Sequence, residues 1–104
     1  MEDEGPRREI SVDVETPPDV RRGVYANSFN IWFSPYEFAL DWAVADEIEA
    51  ADPDDPTSPL RIPVVRVARV RLPTSLGFDV LRGLNDAMTR YESIFGEIRR
   101  PEAR

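Results

Sequence analysis

Two alternating apolar runs that meet at Ser34-Pro35 constrain the fold of this chain more than any other feature of its sequence. Tyr25, Phe29, Ile31 and Phe33 fall on one face of an extended segment, and beyond the break Tyr36, Phe38, Leu40, Trp42 and Val44 fall on one face of a second. Two long strands with a short connection make an antiparallel hairpin. Proline suits the second position of a type I turn, so Ser34 to Glu37 reads as the four-residue turn. In that register Phe33 lies opposite Phe38 and Ile31 opposite Leu40. A register displaced by two residues keeps the same faces, and both stay open.

The rest of the chain falls into place around the hairpin. Residues 1–8 are charged, contain Gly5 and Pro6, and read as a mobile tail. From Glu9 to Glu15, Ile10, Val12 and Val14 alternate with Ser11, Asp13 and Glu15, which predicts a short strand stopped by Pro17 and Pro18. Residues 46–59 are acidic and contain Pro53, Pro56 and Pro59, the pattern of a long solvated loop. A third long strand is expected from Arg61 to Leu72, with Ile62, Val64, Ala68, Val70 and Leu72 on one face and Val65 and Val67 on the other. Pro63 suggests an edge position for it.

From Ser75 to Ile98 the period becomes helical: Leu81, Leu84, Met88, Tyr91, Phe95 and Ile98 are spaced 3, 4, 3, 4 and 3. A helix over that range is about 36 Å long at ~1.5 Å per residue. Thr74 or Ser75 is the expected N-cap. The fold class is therefore α+β: an antiparallel sheet of about four strands with one long C-terminal helix on one face, in a single domain over residues 9–98, followed by a tail at residues 99–104. The seam serves either to cover the sheet of its own subunit or to pair with a symmetry mate.

Composition narrows the function. The chain has no Cys, His, Lys or Gln. That leaves no thiol nucleophile, imidazole base, zinc finger, Schiff base or P-loop lysine, so the sequence predicts a non-enzymatic protein without cofactor or metal. The opening Met-Glu-Asp-Glu-Gly-Pro is acidic where a secretory leader is basic and then apolar, and no run is long enough to span a membrane, so the expected location is the cytoplasm. Residues 1–60 carry fifteen Asp/Glu and four Arg, whereas residues 61–104 carry five and nine. The two halves attract each other, within a chain or between chains.

The second face of the sheet points to assembly. Val24, Ala26, Trp32, Ala39, Ala43, Val65 and Val67 are more apolar than a solvated face requires, and a second subunit is expected to cover part of it, in a dimer or a tetramer.

Several blocks resemble a known family. Gly23-Val24-Tyr25-Ala26-Asn27, Ser34-Pro35-Tyr36-Glu37-Phe38-Ala39-Leu40-Asp41-Trp42, Val67-Ala68-Arg69-Val70 and Tyr91-Glu92-Ser93-Ile94-Phe95-Gly96-Glu97-Ile98 are similar to the small prokaryotic DUF3467 family over residues 23–98. The sequence departs from that pattern at Trp42, where Phe is usual, in its longer acidic loop, and at Pro73-Thr74-Ser75, where the family often has Ser-Pro. The resemblance implies a domain of unknown function and carries no catalytic residues. A weaker similarity, in architecture alone, is to the protomer of the SecB export chaperone, which would imply partners that are unfolded chains or other proteins.

Candidate sites follow from the charged residues. Glu37 and Asp41 share a strand face four residues apart, about 13 Å at ~3.3 Å per residue, too far for a carboxylate pair that flanks one bond. Structural roles fit better: Glu37 closes the hairpin turn and Asp41 pairs with Arg69 or Arg71 on a neighbouring strand, so that Glu37, Asp41, Arg69 and Arg71 form the expected charge-pairing group. Arg61, Arg66, Arg69 and Arg71 would suit phosphates, but the net charge of −7 argues against nucleic acid. Arg66 falls among the core-facing residues and is expected either to snorkel or to meet an acid at the sheet edge. The acidic run lacks the ligand spacing of a calcium loop.

Overall fold

The hairpin forms around Ser34. In the computed structural model, which describes residues 5–100, β1 (Ser28–Phe33) and β2 (Glu37–Ala45) pair antiparallel with Phe33 opposite Phe38 and Ile31 opposite Leu40. The Ser34 side chain supports this register. Its hydroxyl accepts hydrogen bonds from the Tyr36 and Glu37 N–H groups at 3.2 and 3.3 Å, while its own N–H donates to the Glu37 carbonyl at 2.9 Å. At the far end of the hairpin Asn27 imitates a ladder residue. Its backbone N–H donates to the Ala43 carbonyl, and its side-chain amide donates to the Ala45 carbonyl at 3.1 Å and accepts from the Ala45 N–H at 2.8 Å.

The acidic interruption is more ordered than a solvated loop. Glu49–Ala50 (β3) pairs with Leu60–Arg61 (β4), and Arg61 reaches Glu49 at 2.7 Å. Between them the aspartates close their own turns: the Asp52 carboxylate accepts from the Asp54 N–H, and Asp55 accepts from both the hydroxyl and the N–H of Thr57. Those Thr57 bonds, the hydroxyl first, hold the Asp55 carboxyl below its ordinary pKa. The strand expected from Arg61 to Leu72 is therefore split. Ile62 and Pro63 separate β4 from β5 (Val64–Pro73), where proline has no N–H to give a ladder. The Pro63 carbonyl instead accepts from the Asp46 N–H at 2.9 Å.

β5 pairs antiparallel with the other edge of β2, so the sheet order is β1-β2-β5. One bulge sits in that pairing: Ala68 faces Trp42 but Arg66 faces Ala43, leaving Val67 as the extra residue. A one-residue slip exchanges the two faces for everything before it. Val65 consequently lies opposite Val44 and joins the aromatic face, while Arg66 and Val64 move to the opposite one. This corrects the expected placement of Val64, Val65 and Arg66.

The α+β architecture is thus a three-stranded antiparallel sheet, a small two-stranded sheet and a long C-terminal helix. Residues 9–15 form no strand and join neither sheet, and Ile10 is 92% exposed. Their alternation describes a strand with no edge to join in the single chain. A short helix, α1 (Pro18–Arg21), opens on proline where the first N–H has no helical partner anyway. The tail residues 1–4 and 101–104 lie outside the described residues.

After β5 a 3₁₀ turn, Thr74–Leu76, runs directly into α2 (Gly77–Phe95). Neither Thr74 nor Ser75 caps α2; Leu76 takes that position without a side-chain bond. The helix ends before Ile98 because Gly96 adopts φ +99°. Its N–H donates to the Glu92 carbonyl at 3.0 Å, and the Glu92 carboxylate turns back to accept from the Ile98 N–H at 2.9 Å. At its start α2 meets the sheet. A Cβ on Gly77 would lie 2.8 Å from Phe38 Cε2, so only glycine lets the helix leave from this ring. Beyond that point no α2 residue is buried. The apolar side chains buried among the described residues are Ala43 and Leu72. Among the described residues no helix is long and apolar enough to cross a membrane.

Candidate interaction surfaces

The strand register sorts the sheet into two unlike faces. On one, the cross-strand rows are Phe33, Phe38 and Leu72; Ile31, Leu40 and Val70; and Phe29, Trp42 and Ala68, with Val44 and Val65 extending it. Every one of these side chains is apolar. The Phe29 and Trp42 rings stack with centroids 5.7 Å apart. Yet Phe33 is 81% exposed and Phe29 60%.

The other face is organised by Asp41, which sits on the central strand opposite Asn30 and Arg69. Arg69 grips it with a fork, Nε to Oδ1 at 2.5 Å and Nη2 to Oδ2 at 2.9 Å. The Trp32 indole N–H donates to Oδ2 at 2.9 Å, and Arg66 Nε stands 3.3 Å from the same oxygen. These side chains leave Asp41 only 2% exposed. Next to this cluster Arg71 holds Glu37 through two bonds of 2.8 and 3.1 Å. Charged forks of this kind are among the stronger hydrogen bonds in proteins.

The electrostatic result is a saturated carboxylate. The Arg69 hydrogen bonds hold the Asp41 pKa below its ordinary value, against desolvation, which raises it, and with help from Trp32 and the charges of Arg69 and Arg66. Arg69 and Arg71 are raised in turn, each first by its hydrogen-bonded carboxylate. A carboxylate with a lowered pKa is a poor proton acceptor near neutral pH, since efficient transfer needs a pKa near the working pH. Among the described residues no three acidic side chains converge as a metal site. Two surface concavities, one beside Pro18–Arg22 and one between Ala45 and Ile62, include none of the clustered residues.

The residues nominated from sequence divide between these surfaces. Glu37, Asp41, Arg69 and Arg71 come together on the charged face as two ion pairs. Trp32, Ala39 and Ala43 share that face; Ala43 is buried, and Trp32 is bonded to Asp41. Val24 and Ala26 precede β1 outside the ladder, Val65 lies on the aromatic face, and Val67 is the bulge residue. Arg66 meets an acid, one of the two roles expected of it, but the bulge makes that acid Asp41 and places the contact on the charged face. The open aromatic face was legible as an unbroken row of apolar positions, although the sequence reading took it for covered core.

A third surface lies along α2. Leu81, Leu84, Met88, Tyr91 and Phe95 form its stripe; Leu81 is 61% and Phe95 71% exposed, and the Tyr91 and Phe95 rings touch at 4.9 Å. The blocks Tyr25-Ala26-Asn27, Ser34-Pro35, Leu40-Asp41-Trp42 and Tyr91 to Ile98 are therefore where ladder end, turn, ion pair and helix stop are made. No curated protein and no solved structure matches the chain, so the architectural likeness to SecB gains no support from comparison. A family model does match, over residues 1–100: DUF3467, described as a protein of unknown function. The chain belongs to the DUF3467 family.

Proposed function

We propose that this protein is a non-enzymatic interaction module that works as a homo-oligomer, a dimer or a tetramer. The observation that carries the reading is the imbalance between apolar content and core. Hydrophobic residues make up 41% of the sequence, yet among the described residues Ala43 and Leu72 are the apolar side chains buried in the single chain. Soluble monomers rarely leave contiguous apolar patches beyond a few hundred Å². The aromatic face and the α2 stripe are two such patches, and a partner subunit supplies the core that the single chain lacks.

The charged face supports the non-enzymatic part. Asp41 is neutralised between Arg69 and Arg66, and Glu37 by Arg71. Arg61 is likewise engaged by Glu49. The arginines that would suit nucleic-acid phosphates are thus turned toward carboxylates of their own chain, which favours a protein partner.

Light scattering coupled to gel filtration at micromolar concentration tests the proposal. The expected species weighs two or four times the 11.9 kDa of one chain. A folded 11.9 kDa monomer overturns it.

A further inference from the structure

We infer that α2 of one copy lies along the aromatic sheet face of a second copy, and that the second returns the same contact. This deepens the homo-oligomer reading and rests on it. The two surfaces match in length. The 19 residues of α2 extend about 28 Å at ~1.5 Å per residue, while the nine residues of β2 and ten of β5 extend about 30 and 33 Å at ~3.3 Å each. They match in chemistry as well, since neither the stripe from Leu81 to Phe95 nor the face around Leu40 contains a charge.

The route within one chain is closed at the start of the helix. Thr74–Leu76 and α2 are contiguous helical turns, the Thr74 N–H reaches the Tyr36 carbonyl at 3.4 Å, and Gly77 is packed against the Phe38 ring. A helix folded back on its own sheet would have to break this junction, because no loop separates β5 from the helical segment. A second copy needs no such change. Because each chain presents one stripe and one face, two copies related by a two-fold axis close both at once.

Size favours docking over any smaller contact. From the exposures of Phe29, Phe33, Leu81 and Phe95 and their neighbours, with ~150–250 Å² for an aromatic side chain, stripe and face together offer on the order of 1,000 Å² of apolar area per copy. A stable interface takes about 800 Å² per partner. Pairing the two stripes with each other would leave the larger aromatic face in water, so a helix pair is the weaker arrangement.

The absence of native cysteine makes the test clean. A chain carrying Leu84→Cys is mixed, under mild oxidation, with mass-tagged chains carrying Ile31→Cys, Leu40→Cys or Val70→Cys, and a double variant carries Leu84→Cys with Leu40→Cys. Disulfides form only when Cα atoms approach to within about 7 Å. The expected result is that most of the Leu84→Cys chain joins a tagged sheet variant, in a particle that light scattering reports as an oligomer. Self-linked Leu84→Cys would overturn the inference in favour of a helix pair, and a bridge inside one chain of the double variant would overturn it in favour of a folded-back helix. An oligomer that forms none of the mixed bridges across the panel sinks the inference while sparing the homo-oligomer reading. A monomer sinks both.

Discussion

Replacing Gly96 with alanine separates two roles that glycine plays in α2. Gly96 stands just past the helix end at φ +99° and ψ 179°, a backbone region that is nearly closed to residues with a Cβ. A Cβ there would meet nothing within 4 Å, so any cost comes from the backbone and not from a clash. Holding a non-glycine residue in such a region costs about 1–3 kcal/mol. The variant can escape by continuing the helix, but that gives up the bond from the Ile98 N–H to the Glu92 carboxylate, worth about 0.5–1.5 kcal/mol. Gly83 is the internal control: it lies within α2, has equal free space and has no positive φ, so Gly83→Ala should gain about 0.5–1 kcal/mol. The two variants then differ by about 1–4 kcal/mol in opposite directions, which at ~1–3 kcal/mol per molar urea separates their midpoints by on the order of 1 M. Urea unfolding followed by circular dichroism reads this, at a single protein concentration because association would shift every midpoint. If Gly96→Ala is as stable as Gly83→Ala, with no rise in helical signal, the account of the helix stop is wrong.

Two further outcomes test the sheet. Because the Asp41 pKa is lower in the folded chain than its ordinary 3.8, the carboxylate contributes stability that is fully present above 3.8 and is lost as pH falls through the folded value; acid unfolding followed by Trp32 fluorescence in a Trp42→Phe background should show this, and Asp41→Asn should lower stability at neutral pH while the gap to wild type narrows in acid. A gap that widens in acid would reverse the sign of the argument. Asn27→Ala removes both side-chain bonds to Ala45 and should cost about 1–2 kcal/mol in the same urea assay, with Asn27→Asp recovering only the accepting bond; an unchanged midpoint for Asn27→Ala would mean that the ladder ends at Ser28 without help.

What was legible in the sequence divides according to how local the cause is. Ser34 and Pro35 predict the turn, whereas the choice between the two registers is made only by the Ser34 hydroxyl, which accepts from the Tyr36 and Glu37 N–H groups. The period of Leu81 to Phe95 predicts the stripe, since helical spacing is a property of the helix alone. The bulge at Val67 has no such signature: nothing between Val65 and Arg69 marks the extra residue, and its effect is to move Arg66 across the sheet to Asp41. Alternation at Ile10, Val12 and Val14 describes an amphipathic extended segment but names no edge for it to join. The acidic loop hides its short hairpin for the same reason, because Glu49 and Arg61 meet only after the Asp52 and Asp55 turns have brought them together. The hydrophobic effect is non-directional, so the stripe does not say what covers it.

The residues that carry the family likeness divide the same way: Ser34, Glu92 and Gly96 act on near neighbours, whereas Asn27 and Asp41 reach 18 and 28 positions along the chain. Asn27 finishes a ladder, Ser34 closes a turn, Asp41 joins three neighbouring side chains, and Glu92 with Gly96 ends a helix. Each of them shapes the chain. Their joint product is a sheet with a network of ion pairs on one face and apolar side chains on the other, with a helix that leaves from the edge of the apolar face. In the homo-oligomer proposed above, that apolar face and the α2 stripe are the surfaces through which the core is completed.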